Sequence, residues 1–423
     1  MNLIERDAKV IWHPFTPQKN RSNPIPITHG KGTLLFDADG KSYIDAISSW
    51  WVNIHGHAHP YIAEKLYQQA LTLEQVIFAG FTHEPAVQLA ERLLKILPGN
   101  FSRIFYSDNG STSTEVALKM AIQYWWNEQQ FHRKKIIAFK NAYHGDTFGA
   151  MSVSDRSVFT LAFHDLLFEV IFIDTPTNEN INNSLSIIEQ HANEVAAFIY
   201  EPLVQGAGGL KMYDAHLLEQ LITTAKNNEI ICIADEVMTG FYRTGKTFAS
   251  EYVSLQPDII CLSKALTGGT MALGVTACTD KIYNAYVQDD ALKTFFHGHS
   301  FTANPLACTA ALASLDLLQQ TNTVAKVEWL VLQIKNFSQQ LLQLKAPIKN
   351  IRVLGTILAF EITSGKDEYL NNISQIITQS ALQQGIYLRP LGNTVYIMPP
   401  YCITEAELNK VFEIIKNIVL QHE

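Results

Sequence analysis

Short apolar runs alternate with helix-period stretches through the middle of the chain, which is the pattern of an α/β domain with a mostly parallel sheet. The runs predict strands at Arg103 to Tyr106, Lys135 to Phe139, Ala196 to Tyr200, Glu229 to Ala234, Asp258 to Cys261 and Leu273 to Cys278. Amphipathic periodicity predicts helices between them, among others Ser113 to Gln130 and Ala215 to Asn227. Beyond about Asn304 the pattern changes. Two long helical stretches run to Leu344, short strands follow around Val353, Phe360, Tyr387 and Tyr396, and a helix starts at Thr404, as in a separate α+β unit. The stretch up to Asp45, rich in Pro and Gly with a strand-like Thr33 to Phe36, has too little apolar periodicity to fold alone and is expected to ride on that unit. The expected division is a large domain over residues 49–309 and a small one built from 1–48 and 310–423.

Composition narrows the partners. With 423 residues, 47% of them hydrophobic, the chain can bury a large core. A net charge of −8 argues against a nucleic-acid binder, which needs a basic face, and leaves small molecules or other proteins. The five cysteines are scattered without the spacing of a zinc site or a redox dithiol, which suits reduced thiols in the cytoplasm. The start, MNLIERDAKV, puts charges where a signal peptide needs apolar residues, and no segment reads as a membrane span.

Ligands of an open α/β sheet bind beyond the carboxyl ends of its strands, so the residues just after each run are the ones to inspect. Gly110, Ser111 and Thr112 lead into a helix whose free N–H groups and positive dipole end suit a phosphate, although an ordinary helix cap explains the same triplet. Asp235 closes the apolar run IICIA, where a carboxylate needs a partner; a protonated ring nitrogen is one candidate, and capping the next turn or pairing with Arg243 are the others. Lys264 follows the run ending at Cys261 in a mostly apolar setting that lowers an amine's pKa toward nucleophilic neutrality. An amine, a carboxylate and a phosphate cradle on one sheet match the three functions that a phosphorylated aldehyde cofactor requires.

The strings NGSTSTEVALKMA, YHGDTFGAMSVSD, EPLVQGAGGLKMY, ADEVMTGFYRTGK, LSKALTGG and HGHSFTANPLACTAA resemble, in order and through nearly the whole chain, the successive signatures of class III aminotransferases. The resemblance implies the fold type I architecture, pyridoxal 5'-phosphate as cofactor, and a homodimer with active sites at the subunit interface. It makes Lys264 the Schiff-base lysine and Asp235 the partner of the pyridine nitrogen. Gly110 and Ser111 would hold the phosphate, Tyr143 would stack on the ring, and Ser300 would reach the phosphate in the neighbouring subunit. WHPFTPQ, SSWW, EPLVQGAGG and LRPLGNTVYIMPPY resemble the branch of the family that serves biotin synthesis. That branch implies 8-amino-7-oxononanoate as acceptor and S-adenosylmethionine as donor, with lysine as the alternative.

Trp50, Trp51 and Arg389 correspond to its substrate positions. A guanidinium binds a carboxylate through two parallel hydrogen bonds, though a surface ion pair would equally use Arg389. Two adjacent indoles on a strand face opposite ways, so at least one of Trp50 and Trp51 is expected to line a cavity. Two positions depart from the branch: Phe15 stands where a tyrosine is frequent, and His299-Ser300 where Pro and Thr are common.

Gly240 to Thr247 fits the spacing of a Walker A loop, but five residues separate it from the preceding strand and Phe241 and Tyr242 would crowd a phosphate. The alternating His55, His57 and His59, and His297 with His299, invite a metal, but Gly56 and Pro60 fit better with a turn into a helix from Tyr61 to Val76.

Overall fold

The computed structural model describes residues 1–19, 22–363 and 373–421, so parts of the expected C-terminal unit, 364–372 and 422–423, lie outside the described residues. At its centre is a seven-stranded sheet. In chain order its strands are β1 (Phe101–Ser107), β2 (Lys135–Phe139), β3 (Val170–Ile173), β4 (Val195–Tyr200), β5 (Ile231–Asp235), β6 (Ile259–Leu262) and β7 (Gly274–Thr279). Across the sheet the order is β1-β7-β6-β5-β4-β2-β3. All pairs from β6 to β3 are parallel, whereas β7 runs antiparallel to both β6 and β1.

The central strands explain themselves. VAAFIY in β4 and ICIAD in β5 are buried at every position, as strands covered on both faces must be. β3, which the apolar runs did not single out, is an edge strand with three half-buried residues, so it lacks the fully apolar signature of its neighbours.

Crossover helices cover the sheet. The helix α1 (Gly110–Asn127) begins three residues earlier than its periodicity predicts. Asn109 is its cap: the side chain accepts from Thr112 N at 2.9 Å, and the Thr112 hydroxyl accepts in return from Asn109 N at 3.0 Å. Gly110 and Ser111 are therefore the first helical turn rather than the residues before it. The helix expected to run from Tyr61 to Val76 ends at Thr72.

Chain ends meet in a second sheet. The strand Ser42–Asp45 pairs antiparallel with Leu34–Asp37 and parallel with Ile386–Tyr387, so residues near the N-terminus share a ladder with the C-terminal part. Helices α2 (Pro305–Leu318) and α3 (Thr321–Gln343) lead into a three-stranded antiparallel sheet, Ile348–Leu354, Ile357–Ile362 and Thr394–Ile397. A helix, Glu405–Leu420, closes the chain. Among the described residues no helix is long and apolar enough to cross a membrane.

Candidate active site

A cavity of about 720 Å³ opens beyond the carboxyl ends of the parallel strands, and Gly110, Ser111, Tyr143, Asp235, Lys264 and Trp51 all line it. The sheet sets their spacing. Asp235 is the last residue of β5 and pairs in register with Cys261 of β6, three residues before Lys264. The carboxylate that ends β5 and the one that follows it then diverge by the period of two. Asp235 points into the cavity, while Glu236 turns away and is satisfied by Ala249 N, Ser250 N, Ser250 Oγ and Thr239 Oγ1.

Asp235 is 5% exposed and its partner is not Arg243. Its Oδ2 lies 2.7 Å from Nδ1 of the buried His144, and its Oδ1 accepts from Val237 N at 3.1 Å. Arg243 sits behind the site, fully buried, and donates to the carbonyls of Pro399 at 3.1 Å and Trp51 at 3.2 Å. Those bonds to carbonyls pin the Gly240–Thr247 segment against the back of the Trp51 turn and leave no open loop for a phosphate.

Lys264 has left-handed backbone torsions (φ 46°), a conformation that costs a non-glycine residue energy and is held here by its surroundings. Its Nζ lies 4.6 Å from the centroid of the Trp51 ring. Burial lowers the amine's pKa from its ordinary 10.5 to about 8; Asp235 and Glu201 pull it up and Arg243 pushes it down. At neutral pH a useful fraction of the amine is thus unprotonated and nucleophilic.

Two N–H groups at the start of α1, those of Gly110 and Ser111, remain without a hydrogen-bond partner among the described residues, because Asn109 satisfies only Thr112 and Ser113. They face the cavity that holds Lys264. Gly145 packs there with φ 129°; a Cβ on it would overlap the Ser111 side chain, so the close approach of the two segments requires glycine. Ser111 Oγ accepts from Thr147 N at 2.9 Å, which fixes the hydroxyl at the mouth of this cradle. The donor set, two free N–H groups on a helix dipole beside a hydroxyl, fits a phosphate. A buried carboxylate backed by an imidazole fits a protonated ring nitrogen.

Glu201 is a third acid at the site. It accepts from Tyr143 N at 3.1 Å and Gly206 N at 2.7 Å, and burial, with Asp235 acting in the same direction, pushes its pKa up to about 7 against the pull of His144. His144 and Glu201 stood in strand-end motifs of the sequence without an assigned role. Only their burial and their partners, 91 and 58 residues away, reveal them.

The segment Ser48–Trp51 is not a strand but a tight turn in which Ser48, Ser49 and Trp51 all have positive φ. The expectation about the two indoles was built on strand geometry, yet the turn separates them all the same. Trp51 is 3% exposed, lines the cavity and donates from Nε1 to the Tyr396 hydroxyl at 3.0 Å. Trp50 is 38% exposed and stacks under the Arg389 guanidinium at 4.6 Å. Phe15 packs edge-on against Trp50 at 5.5 Å and against Phe159 at 5.9 Å, and Phe159 reaches Tyr143 at 6.5 Å. An aromatic wall therefore runs from Tyr143 in the cavity outward to Arg389, which has no ion-pair partner among the described residues.

His299 and Ser300 are elsewhere. They form a turn in which His299 N donates to Thr302 Oγ1 at 3.0 Å and the Ser300 carbonyl accepts from Gln75 at 2.6 Å, and neither lines the Lys264 cavity. His55 bonds to Ser314 and His57 to Asp45; among the described residues no group of three or more His, Cys, Asp or Glu is placed to hold a metal.

The family described as aminotransferase class-III matches residues 15–419. The chain belongs to the class III aminotransferases. This aminotransferase is 47% identical over 420 residues to the adenosylmethionine-8-amino-7-oxononanoate aminotransferase of Synechococcus elongatus, covering 97% of this chain and 98% of that one. It is 38% identical to the protein of the same name from Helicobacter pylori, over 97% of this chain and 95% of the relative. Among solved structures, the enzyme of that name from Methanocaldococcus jannaschii matches with a TM-score of 0.93 at 35% identity over 98% of both chains. The omega transaminase of Pseudomonas jessenii in complex with PMP matches with the same TM-score at 25% identity, over 100% of this chain and 98% of that one. The aminotransferase has the expected fold type I architecture, with its antiparallel β7 set into an otherwise parallel sheet.

Proposed function

We propose that this aminotransferase uses pyridoxal 5'-phosphate to move an amino group from S-adenosylmethionine to 8-amino-7-oxononanoate, giving 7,8-diaminononanoate for biotin synthesis. One observation carries the chemistry: Lys264, Asp235 and the free N–H groups of Gly110 and Ser111 line a single cavity. The substrates rest on the shared name of relatives that match over nearly the whole chain.

When bound, the cofactor supplies an aldehyde that exchanges between amines and an electron-poor ring that spreads the charge left when a proton leaves the substrate carbon. Gly110, Ser111 and the helix dipole would hold its phosphate, and Asp235 would keep a proton on its ring nitrogen. His144 fixes the Asp235 carboxylate by its 2.7 Å contact. Tyr143, in the wall of the same cavity, would pack against the ring. Lys264 would hold the aldehyde of the bound cofactor and, as the one amine in the cavity, would take the proton from the substrate carbon and give it back as acid. An amine lowered to about 8 can do both near neutral pH. Arg389, without an ion-pair partner among the described residues and at the end of the Phe159–Phe15–Trp50 wall, receives the carboxylate that both substrates carry.

Incubating the holoenzyme with 8-amino-7-oxononanoate and either S-adenosylmethionine or lysine is expected to yield 7,8-diaminononanoate. Product from lysine alone would reassign the donor, and no product from either would overturn the acceptor in favour of an omega-amine substrate. In Arg389→Ala the KM for the acceptor should rise about 10- to 100-fold with kcat less affected, as for loss of a charge-assisted bidentate contact.

Ser300 is proposed to serve the phosphate site of a second copy, since it lies outside this cavity on an exposed turn. The active protein is then a homodimer, and sedimentation of fully active protein as a monomer would rule this out. Five unpaired cysteines fit a reducing compartment, and we infer that the enzyme works in the cytoplasm.

A further inference from the structure

A second cavity, of about 530 Å³, lies behind the active site between the His55–His59 loop, the end of α2, the start of α3 and the turn at Tyr401-Cys402. Its size is that of pockets that enclose small organic ligands. No Asp or Glu lines it, while Lys326 does, without an ion-pair partner among the described residues. Glu407, whose charge reaches Cys402, is engaged by Thr33 and Thr404.

The start of α3 also faces this cavity, with Gln320, Asn322 and Thr323 in its wall. This helix of 23 residues has no side-chain cap. Its first N–H groups, on Thr321 and Asn322, have no partner among the described residues, so the positive end of the dipole is open.

His55 provides an independent sign of a ligand. It is only 8% exposed and lines the cavity, and its Nε2 lies 3.0 Å from Ser314 Oγ. Ser314 Oγ also lies 3.3 Å from the Ala265 carbonyl, so the hydroxyl bridges the imidazole and the backbone. The other ring nitrogen of His55, Nδ1, has no hydrogen-bond partner among the described residues. A ring nitrogen on a nearly buried side chain that lines a cavity asks for a polar partner from whatever occupies it. Trp329 and Leu317 supply the apolar part of the wall.

We propose that this cavity binds a small organic carboxylate that also carries an amide or hydroxyl able to pair with an imidazole nitrogen. The carboxylate sits on the start of α3 and Lys326, the amide or hydroxyl on His55 Nδ1, and the apolar body against Trp329. The ligand would share a wall with the active site, because Ser314 joins His55 to the backbone of Ala265, the residue after Lys264.

N-acetyl-leucine has the required carboxylate, amide and apolar body, and its methyl ester lacks the charge. Cys402 lines the cavity and is the one cysteine that is not fully buried, so its alkylation reports on occupancy. In the holoenzyme, N-acetyl-leucine is expected to slow Cys402 alkylation while the methyl ester does not. Lys326→Gln should raise the concentration needed for protection about tenfold, the loss of one charge-assisted hydrogen bond. Arg389→Ala, at the outer end of the aromatic wall and not lining this cavity, should leave protection unchanged. No protection, equal protection by the ester, or protection undiminished in Lys326→Gln would each overturn the proposal.

Discussion

Lys264→Met is expected to fold, to show no visible absorption band after incubation with pyridoxal phosphate, and to lose transamination by about 10⁴-fold or more, since one group both anchors the cofactor and moves the proton. The substitution should also stabilise the cofactor-free protein. An unfolded lysine keeps its proton up to pH 10.5, whereas the folded one releases it near 8 because burial disfavours the charge. Between those values the unfolded chain binds more protons, so the wild-type protein gains stability as pH rises through that window. Below pH 8 the whole penalty is present, about 3 kcal/mol for the shift to about 8. Methionine has a similar length and no charge. Urea unfolding should therefore find the variant more stable at pH 7, with the gap closing toward pH 10.5. A variant less stable than wild type at pH 7, or a gap independent of pH, would refute the buried, charge-averse amine.

Asp235→Asn is expected to retain the cofactor but lower turnover by about 10²- to 10⁴-fold, as does removal of a preorganised charge from a water-poor site. Asparagine keeps the shape. Its amide cannot both accept from Val237 N and offer a negative charge toward the cavity, and the contact to His144 loses its charge. Cofactor retention follows because Lys264 and the Gly110–Ser111 cradle are untouched. His144→Gln should cost less, about 10- to 100-fold, the worth of one hydrogen bond to a charged group. Measured kcat values decide the ordering: a His144 variant as damaged as Asp235→Asn would mean that the imidazole does more than hold the carboxylate in place, and an unaffected Asp235→Asn would remove it from the chemistry.

The strands that bear these groups were legible because strands buried on both faces must be apolar throughout, and the polar residues that end such runs stand out against them. Val170–Ile173 escaped because an edge strand is under no such demand. The start of α1 was displaced by three residues because a Gly-Ser-Thr triplet suits a cap as well as a first turn, and only the reciprocal Asn109–Thr112 bonds decide between them. The Ser48–Trp51 turn could not be read at all. Positive φ at a tryptophan is imposed from outside, here by Arg243 on the Trp51 carbonyl and Tyr396 on its indole, contacts made across 192 and 345 residues of chain. The same holds for Asp235, whose need for a partner was evident while the identity of that partner was not.

The register Ile233↔Ile259 through Asp235↔Cys261 acts as a ruler. It sets the carboxylate at the end of β5 beside the end of β6, from which the turn at Lys264 carries the amine into the same cavity. Phe15, Trp50 and Arg389 lie off that ruler, on a turn and on segments outside the central sheet. Insertions or exchanges there can retune which molecules are admitted while the bond-making apparatus stays in gauge. A single residue inserted within β6 would break the Asp235↔Cys261 register that sets the amine beside the carboxylate, and every reaction would suffer, whatever the customer.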